Sequence, residues 1–368
     1  MITYCSNIHP GETFDEIFHN LQTHCLAVKQ AVSPDKPFPI GLRLSNRAAF
    51  EINEKISLEF KEWFQKQDCF VPTINGFPYG PFGSSPVKEK VYQPDWRSAE
   101  RVIYTKRLAT LLDSWLPDGM KGTISTVPVG FRKLLDSRDY DVIRKNLINV
   151  LEHFERLRQK SGKEIILSLE PEPGCLLETV KDVIVFLEQI GISDGLRKSL
   201  GVCFDCCHQA VEFEEPSESL RLISEAGVKI GKVQISSALL MKDVRREVLE
   251  KFCEPIYLHQ VVIRHKDGRL IRYDDLPEAL ECHRGTPGEE WRVHFHVPIF
   301  VDEMQGYGTT RFFIESLLPL LDRGILLEVE TYTWHVLPTE LQTGTVTQSI
   351  IREMEWVRSQ IDETNGCP

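Results

Sequence analysis

A (β/α)8 barrel with a β-rich insertion ahead of its last strand is the fold the sequence predicts, and three observations predict it. Eight short β-rich runs alternate with long amphipathic segments, the signature of βα units and a parallel sheet. No glycine-rich phosphate loop follows the first strand, as a doubly wound open sheet would require, and there is no GxxxxGK[ST] or G-x-S-x-G sequence. Polar residues gather at the ends of the strands, as they do at the carboxyl-terminal rim of a barrel.

The elements follow in order. Strands are expected at 2–8, 39–45, 70–75, 122–129, 164–170, 200–205, 231–236 and 325–330. Phe14, Ile17, Phe18, Leu21 and Cys25 make one apolar helix face, and Val142, Ile143, Leu147, Val150, Leu151, Phe154 and Leu157 make another, at spacings of three and four. Further helices fit 46–67, 96–116, 177–190, 217–226, 310–321 and 338–361, the last opened by Pro338. Residues 75–83, NGFPYGPFG, form a rigid aromatic loop suited to stacking on a ring or to closing the barrel top. About 88 residues separate the seventh strand from the eighth, far more than a βα crossover needs. Within them, 257–264 and 269–273 flank the turn Lys266-Asp267-Gly268, residues 292–300 supply another strand, and Gly306-Tyr307-Gly308 turns the chain. We therefore expect one barrel domain, 1–368, carrying an inserted lid, 238–309, over its mouth.

Composition narrows the function. The 368 residues are 42% hydrophobic and 26% charged, enough for a large core. Forty-three Lys and Arg against 54 Asp and Glu leave a charge of -11, which argues against nucleic acid as a partner. The start, MITYCSNIHPGE, has no basic leader, and no segment reaches the roughly 20 apolar residues that span a membrane, so a cytoplasmic protein without direct membrane insertion is expected. The ten cysteines are scattered and expected to be reduced; Cys203 and Cys206 form a lone CxxC that reads as packing.

Residues two apart share a strand face, so parity alone identifies the inward groups near each strand end. They are Cys5, Asn7 and His9; Arg43 and Ser45; Thr73 and Asn75; Ser125 or Thr126; Glu170 and Glu172; Asp205, with His208 beyond; Gln234 and Ser236; and Glu328 and Glu330. Carboxylates clustered in a partly buried cup repel one another, and protonation, cations or a metal must relieve the cost. A divalent ion is the expected answer. Oxygen ligands suit Mg²⁺ or Mn²⁺ and added imidazoles favour Zn²⁺ or Fe²⁺, so its identity stays open. His294 and His296, in HFHVP, lie on one face of the inserted strand and point to the same mouth. Arg43 needs an anionic or polyhydroxylated partner there. His9 either caps the mouth or precedes a helix, and Trp334 raises the stacking question again at the last strand.

These residues resemble the xylose isomerase-like TIM barrels. LSLEPEPG (167–174) is similar to the segment carrying a metal-binding Glu followed two residues later by a catalytic Lys, so Glu170 takes the ligand's place and Glu172 the lysine's. GVCFDCCH (201–208) resembles the Asp-x-x-His motif found in endonuclease IV and in the sugar epimerases of this superfamily, which nominates Asp205 and His208; the acidic balance speaks against the endonuclease. The resemblance also implies a final-strand Glu ligand, Glu330 or Glu328, and a strand-seven ligand where Gln234 replaces the usual His. More narrowly, TYCSNIHPGE (3–12), NGFPYGPFG (75–83), LEPEPGC (169–175), YLHQVV (257–262), HFHVPIF (294–300) and EVETYTWHVLP (328–338) resemble the metabolite traffic protein EboE family. That resemblance implies a barrel working with a membrane-associated partner system on secondary-metabolite precursors.

The expected function is thus a metal-dependent sugar isomerase or epimerase acting on a small hydroxylated or carbonyl metabolite. Glu170, Asp205, Gln234 and Glu330 are the expected metal ligands. Glu170 and Glu330 are the expected proton-transfer pair, assisted by His208, while His9, Arg43, Asn75, Glu172, His296 and Trp334 meet substrate. The alternative is a carrier that binds a metabolite unchanged and hands it to a membrane partner.

Overall fold

Seven strands alternate with helices before the chain leaves the barrel: β1 (Ile2–Tyr4), β2 (Phe38–Arg43), β3 (Cys69–Asn75), β4 (Lys121–Thr126), β5 (Glu164–Leu169), β6 (Leu200–Asp205) and β7 (Lys229–Ile235). Six short strands follow, β8 (Ser237–Met241), β9 (Val261–Arg264), β10 (Leu270–Tyr273), β11 (Glu290–Val297), β12 (Glu303–Met304) and β13 (Tyr307–Thr309), before β14 (Leu327–Val329) returns. The computed structural model describes residues 1–83, 86–242, 244–304 and 306–366. Its first sheet is parallel throughout, in the order β1-β14-β7-β6-β5-β4-β3-β2. A parallel bridge from Cys5 to Gly41 joins its two edges, so the eight strands form a nearly closed barrel.

That closure depends on Gly41. A Cβ there would run into the Tyr4 carbonyl and the Glu328 carboxylate, and the first of these is backbone that cannot turn aside. Gly41→Ala should therefore destabilise the fold by about 1–3 kcal/mol, seen as a lower urea midpoint with an unchanged slope.

The second sheet is antiparallel, in the order β10-β9-β11-β8-β13-β12, and it is the expected insertion. Its hairpin pairs Leu270 with Arg264 around Gly268, whose φ of 84° supplies the turn. Residues 307–309, expected to turn the chain, instead pair with β8. Facing each other across 237–239, β8 and β11 lose register: Val293 pairs with Leu239 and Val297 with Ser237, so β11 bulges between them.

Helix boundaries differ from expectation where a cap overrides the apolar pattern. Residues 46–67 form two helices, Asn46–Glu51 and Glu54–Lys66, because the Asn53 side chain accepts from the Ile56 amide and starts a second one. The last helix begins at Val346 rather than Pro338: Gly344 sits at φ 85° and Thr345 Oγ1 accepts from the Gln348 amide at 3.2 Å. Strand β1 stops at Tyr4, and Ser6–Ile8 is a 3-10 turn. The nine cysteines among the described residues are free, and Cys367 lies outside them.

The barrel interior is polar. Thr123 and Ser168 share a hydrogen bond of 2.7 Å, and Thr3 Oγ1 bonds the Pro39 carbonyl at 2.7 Å. Below the mouth, the Lys232 ammonium meets the Glu328 carboxylate with both side chains at 0% exposure. Burial works to lower the Lys232 pKa, and the neighbouring acidic groups, Glu328 first, together more than reverse it, so the lysine stays charged.

Candidate active site

Three strand ends carry the acidic residues to one point. Glu170 follows β5, Asp205 ends β6 and Glu330 follows β14, and each offers an oxygen within 4.8 Å of the other two. The choice on the last strand falls to Glu330, since Glu328 is committed to Lys232. Asn7 and Asn75 hold Glu330 by donating to its Oε1 at 2.8 and 3.1 Å. The Asn75 orientation is fixed because its oxygen accepts from the Phe77 amide at 3.1 Å. Asp205 caps the helix Cys206–Val211, its Oδ1 accepting from the His208 amide at 2.9 Å and the Ser236 hydroxyl at 2.8 Å.

Two oxygens of this cup, Glu170 Oε2 and Asp205 Oδ2, are buried with no hydrogen-bond partner. Burial first, then Glu330 and Asp205, holds the Glu170 carboxyl well above its ordinary range, and burial followed by Asp205 does the same to Glu330. Two orphaned oxygens in a cluster of carboxyls from three strands are what a hard divalent ion would satisfy, so the residues present fit one. Gln234, expected as a fourth ligand, turns its amide oxygen to the Cys203 thiol at 3.1 Å.

Raised carboxyl pKa values have a sign for stability. The folded state holds more protons than the unfolded chain above about pH 4, so the stability they contribute is present at low pH and lost as pH rises toward the shifted values. Metal-free protein should therefore weaken between about pH 4 and 8, and saturating Mn²⁺ should flatten part of that slope. Glu212 and Glu353, both pushed up to about 7 by burial, and Glu214, pushed up to about 8, lie outside the cup and should leave a residual slope. Urea titrations across this range with and without metal measure both parts.

Around the cup lies a cavity of about 50 Å³, room for a few water molecules. Its floor includes Glu170, Glu330 and Asn7, and its roof is apolar: Phe77 and Phe82 from the expected aromatic loop, with Tyr257 and Tyr332. The Phe82 ring packs 5.2 Å from both tyrosines. Glu172 forms a wall, accepting from the Tyr92 hydroxyl at 2.7 Å, and burial raises its pKa. His208, His294 and His296 stand together beside the cup. His208 Nε2 is 3.1 Å from His294 Nε2, which is 3.2 Å from His296 Nε2. Burial keeps His294 well below its ordinary pKa and His296 at about 4, so both rings are neutral.

Of the expected substrate contacts, His296 stands beside His294 but outside the cavity lining, and three lie elsewhere. Arg43 is buried, but its guanidinium already has partners: the Gly11 carbonyl at 2.5 Å, Glu12 at 3.0 Å and the Gly80 carbonyl at 2.5 Å. The need for an outside anion therefore disappears. His9 stacks on His24 at 4.4 Å and meets the Tyr4 hydroxyl at 3.2 Å, away from the cavity lining. Trp334 wedges between the barrel core and the core of the inserted sheet. Tyr92, Gln260, Tyr257 and Lys232 were missed. Tyr92 lies outside the expected segments, and Tyr257 and Gln260 lie in the expected run 257–264 but ahead of the strand, which begins at Val261; Lys232 shares the inward parity of Gln234 and was legible from it.

No family model matches the chain, and no curated protein does. Solved structures do match along nearly its whole length. They include a xylose isomerase-like TIM barrel protein from Mycobacterium smegmatis in complex with magnesium (12% identity, TM-score 0.55, 99% of this chain and 97% of that one). An L-ribulose 3-epimerase matches at 13% identity and TM-score 0.54, covering 99% and 95%, and an IolI protein with a bound zinc atom at 14% and 0.52, covering 100% and 99%. At these identities the likeness establishes the xylose isomerase-like barrel fold.

Proposed function

We propose that this chain is a metal-dependent isomerase or epimerase of a small α-hydroxy carbonyl metabolite. The observation that carries the reading is the convergence of Glu170, Asp205 and Glu330, two of them with orphaned oxygens, at a roofed cavity that Glu170 and Glu330 line. These three carboxylates would hold the ion, with Gln234 left out. A divalent ion supplies positive charge against the negative charge that develops on substrate oxygens when a carbon-bound proton leaves.

The protein's own groups do the rest. Glu170, with one carboxylate oxygen left over from the ion, takes the proton from carbon, and Glu330, steadied by Asn7 and Asn75 and held toward its protonated form by burial, gives its own proton back to that carbon. Glu172 and His208 line the same cavity, and the Glu172 carboxylate orients hydroxyls. The roof of Phe77, Phe82, Tyr257 and Tyr332 excludes water, and a sugar-sized substrate enters when it shifts. Two of the similar structures, an L-ribulose 3-epimerase and an IolI protein with a bound zinc atom, are compatible with this reading. The motif resemblance to the metabolite traffic family supports secondary-metabolite precursors as substrates and a membrane-associated partner.

The test is solvent exchange. Metal-loaded protein in D₂O with a panel of ketoses and hydroxyaldehydes should incorporate deuterium at the carbon beside the carbonyl, read by NMR. Saturable binding without exchange or conversion would instead establish the carrier reading.

A further inference from the structure

We propose that His208, His294 and His296 form a second metal centre, built of imidazoles and specific for a borderline-soft divalent ion such as Zn²⁺, beside the carboxylate cup. The argument stands on the rings themselves and does not depend on the reaction proposed above. His208 lies in the first turn after β6, and His294 and His296 lie in the bulged stretch of β11, two residues apart. The insertion thus delivers two rings to a third that belongs to the barrel.

Each ring has its Nδ1 against an oxygen that can only accept. His208 Nδ1 faces the Pro171 carbonyl at 2.9 Å, His294 Nδ1 the Gln260 side-chain oxygen at 2.7 Å, and His296 Nδ1 the Glu330 carbonyl at 2.8 Å. The Gln260 amide cannot be reversed, because its nitrogen donates to the Pro173 carbonyl at 2.8 Å. Nδ1 therefore carries the hydrogen in all three, and in a neutral ring Nε2 is left as a bare lone pair.

Those lone pairs meet in two close contacts, both at His294, and ring nitrogens of His208 and His296 lie within 4.8 Å of each other. Nitrogens 3.1 and 3.2 Å apart with no hydrogen between them repel, and the Tyr332 hydroxyl, 3.4 Å from His294 Nε2, offers one weak donor for three acceptors. A single added proton could bridge only one of the two contacts. One ion satisfies all three: with Zn–N bonds of about 2.0–2.1 Å, tetrahedral ligands stand roughly 3.3–3.4 Å apart. Backbone or amide oxygens on Nδ1 are also the usual outer support of metal-bound histidines. The two centres would adjoin at Asp205, whose Oδ1 is 3.8 Å from His208 Nε2.

The experiment uses the full chain, stripped with a chelator and loaded with one equivalent of Zn²⁺ alone. X-ray absorption at the zinc edge should show imidazole scattering from about three nitrogens near 2.0 Å. A first shell of oxygens only would overturn the proposal. His294→Ala, checked by circular dichroism to be folded, should weaken Zn²⁺ binding by more than the roughly 10–100-fold that loss of an outer partner causes, while Mn²⁺ binding stays within a few-fold. Unchanged Zn²⁺ affinity in that variant would also overturn it. Glu170→Gln should show the opposite pattern, so failure of the carboxylate centre and failure of the imidazole centre are read separately.

Discussion

Replacing Lys232 by Met should destabilise the protein by about 3–5 kcal/mol, the largest stability loss expected of any single change considered. The lysine lies inside the barrel with 0% exposure, and its removal leaves the equally buried Glu328 charge without its counterion. Methionine keeps most of the stem volume, so lost packing contributes little. The double variant Lys232→Met, Glu328→Gln should recover a large part of the loss, since the buried charge then goes with its partner. Urea denaturation of the two singles and the double closes the cycle. A Lys232→Met variant as stable as wild type would mean that water reaches this pair.

Glu170→Gln should lower deuterium exchange by roughly 10²–10⁴-fold while leaving the barrel folded. The amide keeps the shape of the carboxyl group but cannot take a proton from carbon, and it removes one of three mutually repelling carboxylates. In metal-free protein at neutral pH the substitution should therefore raise the thermal midpoint, because the raised Glu170 pKa marks an ionised form that the fold tolerates poorly. Loss of activity with gain of stability separates a catalytic group from a structural one. A variant with full exchange activity would end the assignment of Glu170 as base.

The cup was legible in the sequence because strand parity is a local rule. Glu170, Asp205 and Glu330 each sit at or just past the carboxyl end of a predicted strand, and a parallel barrel brings all such ends to one rim. Parity cannot separate Glu328 from Glu330, which share a face; the partner Lys232, on a neighbouring strand, separates them. Arg43 was misread for a related reason. Its inward direction was correct, but its partners come from the loops at Gly11, Glu12 and Gly80, whose paths have no periodic signal. His9 and Trp334 fail in the same way, held by His24 and by packing between two cores.

The histidine cluster was half visible. Spacing placed His294 and His296 on one side of a strand, yet their meeting with His208 depends on the bulge in β11 and on Gln260, which fixes the central ring. Neither has a signature in a single sequence. The helix that begins at Val346 shows two signals in competition, Pro338 as a start and Gly344-Thr345 as a stop and cap, and the cap prevails.

The central claim is that side chains from β5, β6 and the last barrel strand share one cation. Metal content of purified protein after dialysis against Mn²⁺, compared between wild type and Asp205→Ala, tests it most directly. We expect close to one manganese per chain in the wild type and less than a tenth of that in the variant, with both folded. Full manganese occupancy in Asp205→Ala would contradict the account, as would a wild-type protein that retains none.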